Sequence, residues 1–374
     1  MQCDRFGVRA LMLLLAAGLA AFAVRADGAW VARHFFLLDS SLEPARFELL
    51  FFRAVPAVLA AALALAAFKL RPDARVAAAV LCALPASELL LRWLEAHKSE
   101  ERRTLHARLG EPHPRYGWIF RPQTAPVVRL GGREFRLAFD ADGSRIAAPG
   151  AAPNPSLPSL IVAGESVAMG HGLDWDDTFA AIAARDLGLQ PVNLAVNGYG
   201  VDQAWLRLTD VLPRYTDVRA VVMVIMPVQL GRNLIDDHPR LTERFELLPA
   251  HQGGLRLRSL FVNQIPFHTD AAIAESVRLT RALLEDLACR EPSTLFVAPG
   301  GDRGLARELF AGLRWIPGEL GDADRFPGDG HPNPSGARKI ALAVEAALRL
   351  CRPECASSRH AVRTAGPSAR LRDH

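Results

Sequence analysis

The stretch Ser159-Leu160-Ile161-Val162-Ala163-Gly164-Glu165-Ser166 decides the fold. Leu160 to Ala163 is a short apolar run without polar alternation, the mark of a strand covered on both faces. Gly164 and the polar pair after it end that strand in a turn. Outward from there the chain alternates. Thr178 to Leu187 reads as a helix, Pro191 to Val196 as a strand, Val201 to Leu212 as a helix and Val218 to Met226 as a buried strand. Asp270 to Cys289 reads as a long helix, Ser293 to Ala298 as a strand and Ser335 to Leu350 as a closing helix. Strands separated by helical segments need crossovers, so the expectation is an α/β unit with a mostly parallel sheet between helices.

Reactive groups of such sheets gather beyond the carboxyl ends of the strands. Three polar turns stand there. Ser166 follows the first strand, where a hydroxyl faces the crevice and the residue's own N–H can face an oxyanion; a Ser at such a place is also an ordinary helix cap. Asn197-Gly198-Tyr199-Gly200 follows the second strand, and Gly198 lets a backbone N–H approach a ligand closely; an ordinary strand-to-helix turn has the same composition. Phe326-Pro327-Gly328-Asp329-Gly330-His331-Pro332-Asn333 precedes the closing helix, with Asp329 two residues before His331, a spacing that lets a carboxylate orient an imidazole. Nucleophile first, glycine donor next and acid and base last make one coherent acyl-transfer set. Asp324, seven residues before His331, is the alternative acid.

Composition narrows the classes. The chain has 374 residues, of which 50% are apolar and 22% charged, enough for a large core and too apolar for a disordered chain. Its net charge of +4 is mostly the work of the last residues, Cys351 to His374, where five Arg face Glu354 and Asp373. The rest is near neutral, which gives a nucleic-acid partner no basic face. No Cys-x-x-Cys pair and no Cys/His cluster at zinc spacing occurs among the five Cys, so no structural metal is expected.

Before Ser159 the character changes. Ala10 to Val24 and Ala54 to Phe68 are uncharged apolar runs, and Val76 to Leu91 is a third, broken only by Glu88. Each approaches the roughly 17–25 residues that a spanning helix needs. The expectation is a membrane anchor of about three transmembrane helices over residues 1–95, with Arg53 snorkelling or facing a partner helix. The first run also has the form of a secretory signal. Arg5 and Arg9 before the first run, and Lys69, Arg71 and Arg75 after the second, place those loops inside and the C-terminal domain outside the inner membrane. Residues 96–158 read as a juxtamembrane stalk, short strands at Tyr116 to Phe120 and Phe135 to Phe139, and a proline-rich linker from Ala147 to Pro158. Residues 351–374 read as a basic, disordered tail.

On these residues the region Ser159 to Leu350 resembles the SGNH (GDSL-type) hydrolases. Gly164-Glu165-Ser166 is similar to the nucleophile block, Asn193 to Gly198 with Tyr199, Gly200 and Gln203 to the second, and Asp329-Gly330-His331-Pro332-Asn333 to the last. His113 to Trp118 and Asp142-Gly143-Ser144-Arg145 resemble what precedes the domain in membrane-anchored bacterial members. The resemblance implies a flavodoxin-like three-layer sandwich and a serine esterase or O-acyltransferase, without cofactor or metal, acting on an acylated glycan, lipid or small ester. Ser166 would be nucleophile, His331 base and Asp329 its orienting partner, with oxyanion donors on Ser166 and Gly198. The usual Asn-Asp pair after the third strand is replaced by Pro227-Val228-Gln229-Leu230-Gly231-Arg232-Asn233. Gln229 is therefore expected as third donor ahead of Asn233. A degenerate, non-catalytic scaffold protein of the cell envelope is the alternative.

Other residues stay open. His171 belongs to the cleft or to the surface, and Trp175 and Trp205 are expected in the core. His238, His251 and His268 fall in a long variable region, 234–269. Cys289 pairs with Cys351 or Cys355 or stays a free thiol.

Overall fold

The structure, a computed structural model, describes residues 2–35, 46–69, 86, 89–90, 93, 105–235, 238–250, 268–300, 303–327 and 329–350. At the N-terminus lie helices α1 (Gln2–Arg25), α2 (Gly28–Phe35) and α3 (Arg46–Lys69). Among the described residues one helix, Gly7–Arg25, is long and apolar enough to cross a membrane, with a mean hydropathy of 2.1. The second apolar run does become a helix, but its apolar part is the shorter Arg53–Phe68, because Arg46, Glu48 and Arg53 charge the first turns of α3. The expected third span lies almost wholly outside the described residues, as do residues 94–104 and the tail. The expectation of several spanning helices is thus reduced to one candidate. Arg53 faces a partner helix, its Nε donating to the Ala23 carbonyl of α1 at 3.3 Å.

After the short helix α4 (Leu105–Leu109) come two antiparallel hairpins, β1 (Gly110–His113) with β2 (Gly117–Phe120) and β3 (Val127–Leu130) with β4 (Arg133–Arg136). The main sheet then begins with β5 (Ser159–Ala163), whose five residues are all buried. It is followed by the one-turn helix α5 (Ser166–Met169), α6 (Phe179–Asp186), β6 (Gln190–Asn193), α7 (Val201–Val211), β7 (Val218–Val224) and α8 (Pro227–Arg232). A small ribbon, β8 (Arg240–Leu241) with β9 (Leu247–Leu248), precedes α9 (Asp270–Arg290), β10 (Thr294–Ala298), α10 (Arg303–Leu309), β11 (Trp315–Pro317) and α11 (Pro334–Arg349). The main sheet runs β11-β10-β7-β5-β6, parallel throughout.

Numbered within the sheet, that order is 2-1-3-4-5, the doubly wound arrangement in which a crevice opens where the chain reverses direction, beside the first and third strands. Here those are β5 and β7. Helices α6 and α11 pack together on one face, and α7, α8 and α9 on the other, which completes three layers. The expected helices and strands from Ser159 onward are present with boundaries shifted by a few residues. The edge strand β11, the short helices α8 and α10 and the β8–β9 ribbon have no counterpart in the sequence reading.

The hairpins do not stand apart from this unit. Phe120, Val128, Phe135, Leu137 and Phe139 are buried in the same core cluster as β5, β7 and β10. Gln203 Nε2 of α7 donates to the Tyr116 carbonyl at 2.7 Å, and Tyr116 and Arg115 both hold Asp210. Helix α2 also touches the unit, since Arg33 pairs with Asp270 at 2.7 Å and His34 and His268 exchange hydrogen bonds.

Candidate active site

The β5 strand delivers Ser166 to the crevice through a turn that only glycine fits. Gly164 has φ 141°, and a Cβ on it would lie 2.8 Å from the Val224 carbonyl of β7 and 2.9 Å from Ala168. The close approach of β5 and β7 at the switch point therefore sets the first letter of Gly-Glu-Ser. Helix α5 follows, with the Glu165 carboxylate capping it by accepting the Val167 N–H at 3.0 Å. The loop beyond is held by Arg145, a residue 1% exposed. Its guanidinium donates to the carbonyls of Met169, Gly170 and Leu173 at 2.6, 2.8 and 2.6 Å. Burial pulls its pKa down to about 9. The Asp-Gly-Ser-Arg segment that ends in Arg145 thus serves to pin the turn after Ser166.

The residues expected at the site do meet. Ser166 Oγ lies 2.8 Å from His331 Nε2, and His331 Nδ1 lies 2.8 Å from Asp329 Oδ1. Asp329 Oδ1 also accepts the His331 N–H at 2.9 Å, and Oδ2 is paired with Arg133 of β4. Burial opposes the charge on Asp329, but His331 and Arg133 outweigh it and hold the carboxyl far below its usual range. An ionised Asp329 accepts only, so the His331 ring carries its hydrogen on Nδ1 and offers Nε2 as acceptor to the Ser166 hydroxyl. Arg133 in turn stacks on Phe326, 3.4 Å above the ring centre. Asp324 is turned elsewhere, bound to Lys339 Nζ at 2.6 Å and to the Gly321 N–H at 2.9 Å.

Glu165 lies closer to the chemistry than its place in the turn suggests. Its Oε2 accepts the Ser166 hydroxyl and also faces Arg232 Nη1 at 3.3 Å. Burial at 2% exposure pushes this carboxyl up, and Arg232, His331 and the hydrogen bonds from Ser166 and Val167 bring it below its ordinary value. One hydroxyl proton thus has two acceptors in reach, a carboxylate and an imidazole.

His171 is buried, not superficial. Its ring stacks on that of His331 with centroids 4.1 Å apart, and Asn197 Nδ2 lies 3.4 Å from its Nδ1. Burial and the neighbouring His331 push its pKa down to about 3, so it stays neutral where proteins work. His171, Asp329 and His331 offer ligand atoms within 4.8 Å of one another. Both nitrogens of His331 already face Asp329 and Ser166, at 2.8 Å each.

The expected oxyanion donors are distributed as follows. Gly198 sits in the turn after β6 with φ 89°. Gln229 is fully buried: its Oε1 accepts the Met226 N–H at 2.7 Å, and its Nε2 is buried with no hydrogen-bond partner. Asn233 is spent on structure, its Oδ1 accepting the Val201 N–H at 2.8 Å and its Nδ2 donating to Thr280 at 3.0 Å. Sequence reasoning missed Arg133, Arg145 and Arg232 as parts of the site; Arg145 and Arg232 stand in segments quoted above for other reasons, and nothing local marks Arg133. Trp205 is buried, as expected, whereas Trp175 is half-exposed and lies 6.0 Å from the Arg145 guanidinium. Within the variable region, His238 is buried beside Trp118 and His268 bonds to α2, while His251 lies outside the described residues. Cys289 is an exposed thiol, and its suggested partners Cys351 and Cys355 lie outside the described residues.

No protein-family profile matches the chain, and no curated protein matches it in sequence. Solved structures are similar in fold. An acetyl xylan esterase (Est2A) from the rumen bacterium Butyrivibrio proteoclasticus is 12% identical, the match covering 56% of this chain and 67% of that one with a TM-score of 0.35. A carbohydrate esterase family 2 enzyme with a carbohydrate binding domain, from Corynascus thermopiles (Myceliophthora fergusii), is 17% identical over 56% of this chain and 70% of that one, with a TM-score of 0.32. A member of the lipolytic protein G-D-S-L family from Veillonella parvula is 12% identical over 50% of this chain and 96% of that one, with a TM-score of 0.31.

Proposed function

We propose that this chain is a serine ester hydrolase or O-acyltransferase of the SGNH type. The observation that carries the reading is the unbroken relay of two 2.8 Å contacts from Ser166 Oγ through His331 to Asp329. A serine hydroxyl is almost wholly protonated at neutral pH and needs such a base. In the proposed reaction His331 Nε2 takes the Ser166 proton while Oγ attacks the ester carbonyl carbon. The resulting oxyanion is met by the N–H groups of Ser166 and Gly198. Collapse breaks the bond to the leaving alcohol, which receives the proton from His331, and leaves an acyl group on Ser166. Water or an acceptor hydroxyl then repeats the sequence in reverse. Gln229 is the third donor in this reading: a buried amide N–H without a partner is costly, and an oxyanion is an acceptor that would satisfy it.

Anchoring at a membrane, with the catalytic unit on the outer side, belongs to the same proposal. Arg5 and Arg9 favour an inner start for α1, and α2, just past its far end, bonds to α9 of the catalytic unit. The substrate class proposed is an acylated glycan, a lipid or another small ester.

Gln229 also supports the second reading, a non-catalytic protein of the same fold. Its amide is closed off, with its oxygen committed to Met226. Labelling of the purified full chain by a fluorophosphonate separates the two. Labelling that disappears in Ser166→Ala supports the enzyme, and an unlabelled wild-type chain supports the scaffold.

A further inference from the structure

One cation joins the two turns from which the oxyanion donors would come. Arg232 ends α8, the helix that follows β7. Its Nη1 faces Glu165 Oε2 at 3.3 Å and the Tyr199 carbonyl at 3.3 Å. Glu165 immediately precedes Ser166, and Tyr199 immediately follows Gly198. The two turns lie past the ends of β5 and β6, which are neighbours, while Arg232 arrives from β7 on the opposite side of β5. Its side chain is 26% exposed and that of Glu165 is 3% exposed, so the guanidinium caps a buried carboxylate from the open side. A planar guanidinium fixes the directions of its donors, whereas an ammonium on a flexible stem does not.

We propose that Arg232 is a positioning residue for this centre. It holds the Glu165–Ser166 turn against the Gly198–Tyr199 turn and so sets the spacing of the two backbone donors. It stands in the segment where the resembling family carries its side-chain amide, and here it would act through the backbone donors rather than as a donor of its own. The inference rests on Ser166 being the nucleophile.

The test uses the full chain in detergent micelles, with p-nitrophenyl acetate hydrolysis and fluorophosphonate labelling as readouts. The variants are Arg232→Met, Arg232→Lys, Glu165→Gln and the double variant Glu165→Gln/Arg232→Met. The double variant removes both charges together, so neither is left buried alone if Arg232→Met fails to fold. A misplacement of about 1 Å costs about 100-fold in rate, so the double variant should fall about 100-fold in kcat below Glu165→Gln with KM nearly unchanged. Arg232→Lys should lie between wild type and Arg232→Met. A double variant as active as Glu165→Gln would make Arg232 only a counter-charge and overturn the inference. A raised KM at unchanged kcat would make it a substrate-binding group and overturn it equally. Hydrolysis and labelling that survive in Ser166→Ala would instead overturn the nucleophile assignment, and the inference with it.

Discussion

Replacing His171 by Gln should flatten the acid side of the stability curve. Gln keeps an amide to meet Asn197 and removes the titrating ring. In the folded chain His171 binds a proton only near pH 3, because burial and the stacked His331 disfavour its charge, against 6.5 for an ordinary histidine. The unfolded chain therefore takes up a proton that the folded chain refuses. Stability from this group is intact above 6.5 and is lost as pH falls below it, at about 1.4 kcal/mol per pH unit. At about pH 5 the loss amounts to about 2 kcal/mol relative to neutral pH. Asp202 works in the opposite sense: burial raises its carboxyl to about 6, so its penalty is relieved as pH falls. The wild-type curve alone mixes the two, and the difference between wild type and His171→Gln isolates the histidine. For a unit of this size about 2 kcal/mol corresponds to about 4–8 °C in Tm. Thermal melts of both chains at neutral pH and near pH 5 should show the wild-type Tm dropping by that much more than the variant's. An equal drop in both would refute a neutral, buried His171 against His331.

Further outcomes concern the same site. Ser166→Ala and His331→Ala should abolish fluorophosphonate labelling, while Asp329→Asn lowers its rate and Asp324→Asn, remote from the imidazole, leaves it unchanged. Gln229→Ala should lower the turnover of p-nitrophenyl acetate by about 10²–10³, the effect of losing one oxyanion donor; unaltered turnover would leave two donors only. Arg145→Leu removes the guanidinium from the Met169 and Leu173 carbonyls, leaves the Gly170 carbonyl only the Leu173 N–H, and should cost about 3 kcal/mol or more in a denaturant titration.

What the sequence discloses here follows from how each part is built. Strands β5, β7 and β10 are buried on both faces, so each is an apolar run that stands out locally. β11 is three residues at a sheet edge, half-exposed, and gives no such run. Ser166, Gly198 and the Asp329–His331 pair carry local chain signatures, a strand end or a glycine turn. Arg133 and Arg232 do not: the first reaches Asp329 across 196 residues and the second reaches Glu165 across 67, and on paper both are ordinary surface arginines. His171 between two glycines reads as an exposed turn, and only the fold of the loop onto His331 buries it. The apolar N-terminal runs are plain as composition, but Glu48 and Arg53 leave the second an apolar part of only Arg53–Phe68, shorter than a candidate span.

Ser166 and His331 are separated by 165 positions, and His331 stands just ahead of the closing helix. A ribosome that has not yet reached His331 has therefore made the proposed nucleophile without its proposed base. In the proposed reaction, chemistry switches on only after His331 has been made, and any product of premature termination or clipping before His331 is silent. The hairpin that carries Arg133 emerges first and waits for the acid it will hold. For the proposed hydrolase, birth order would be a form of restraint that needs no inhibitor.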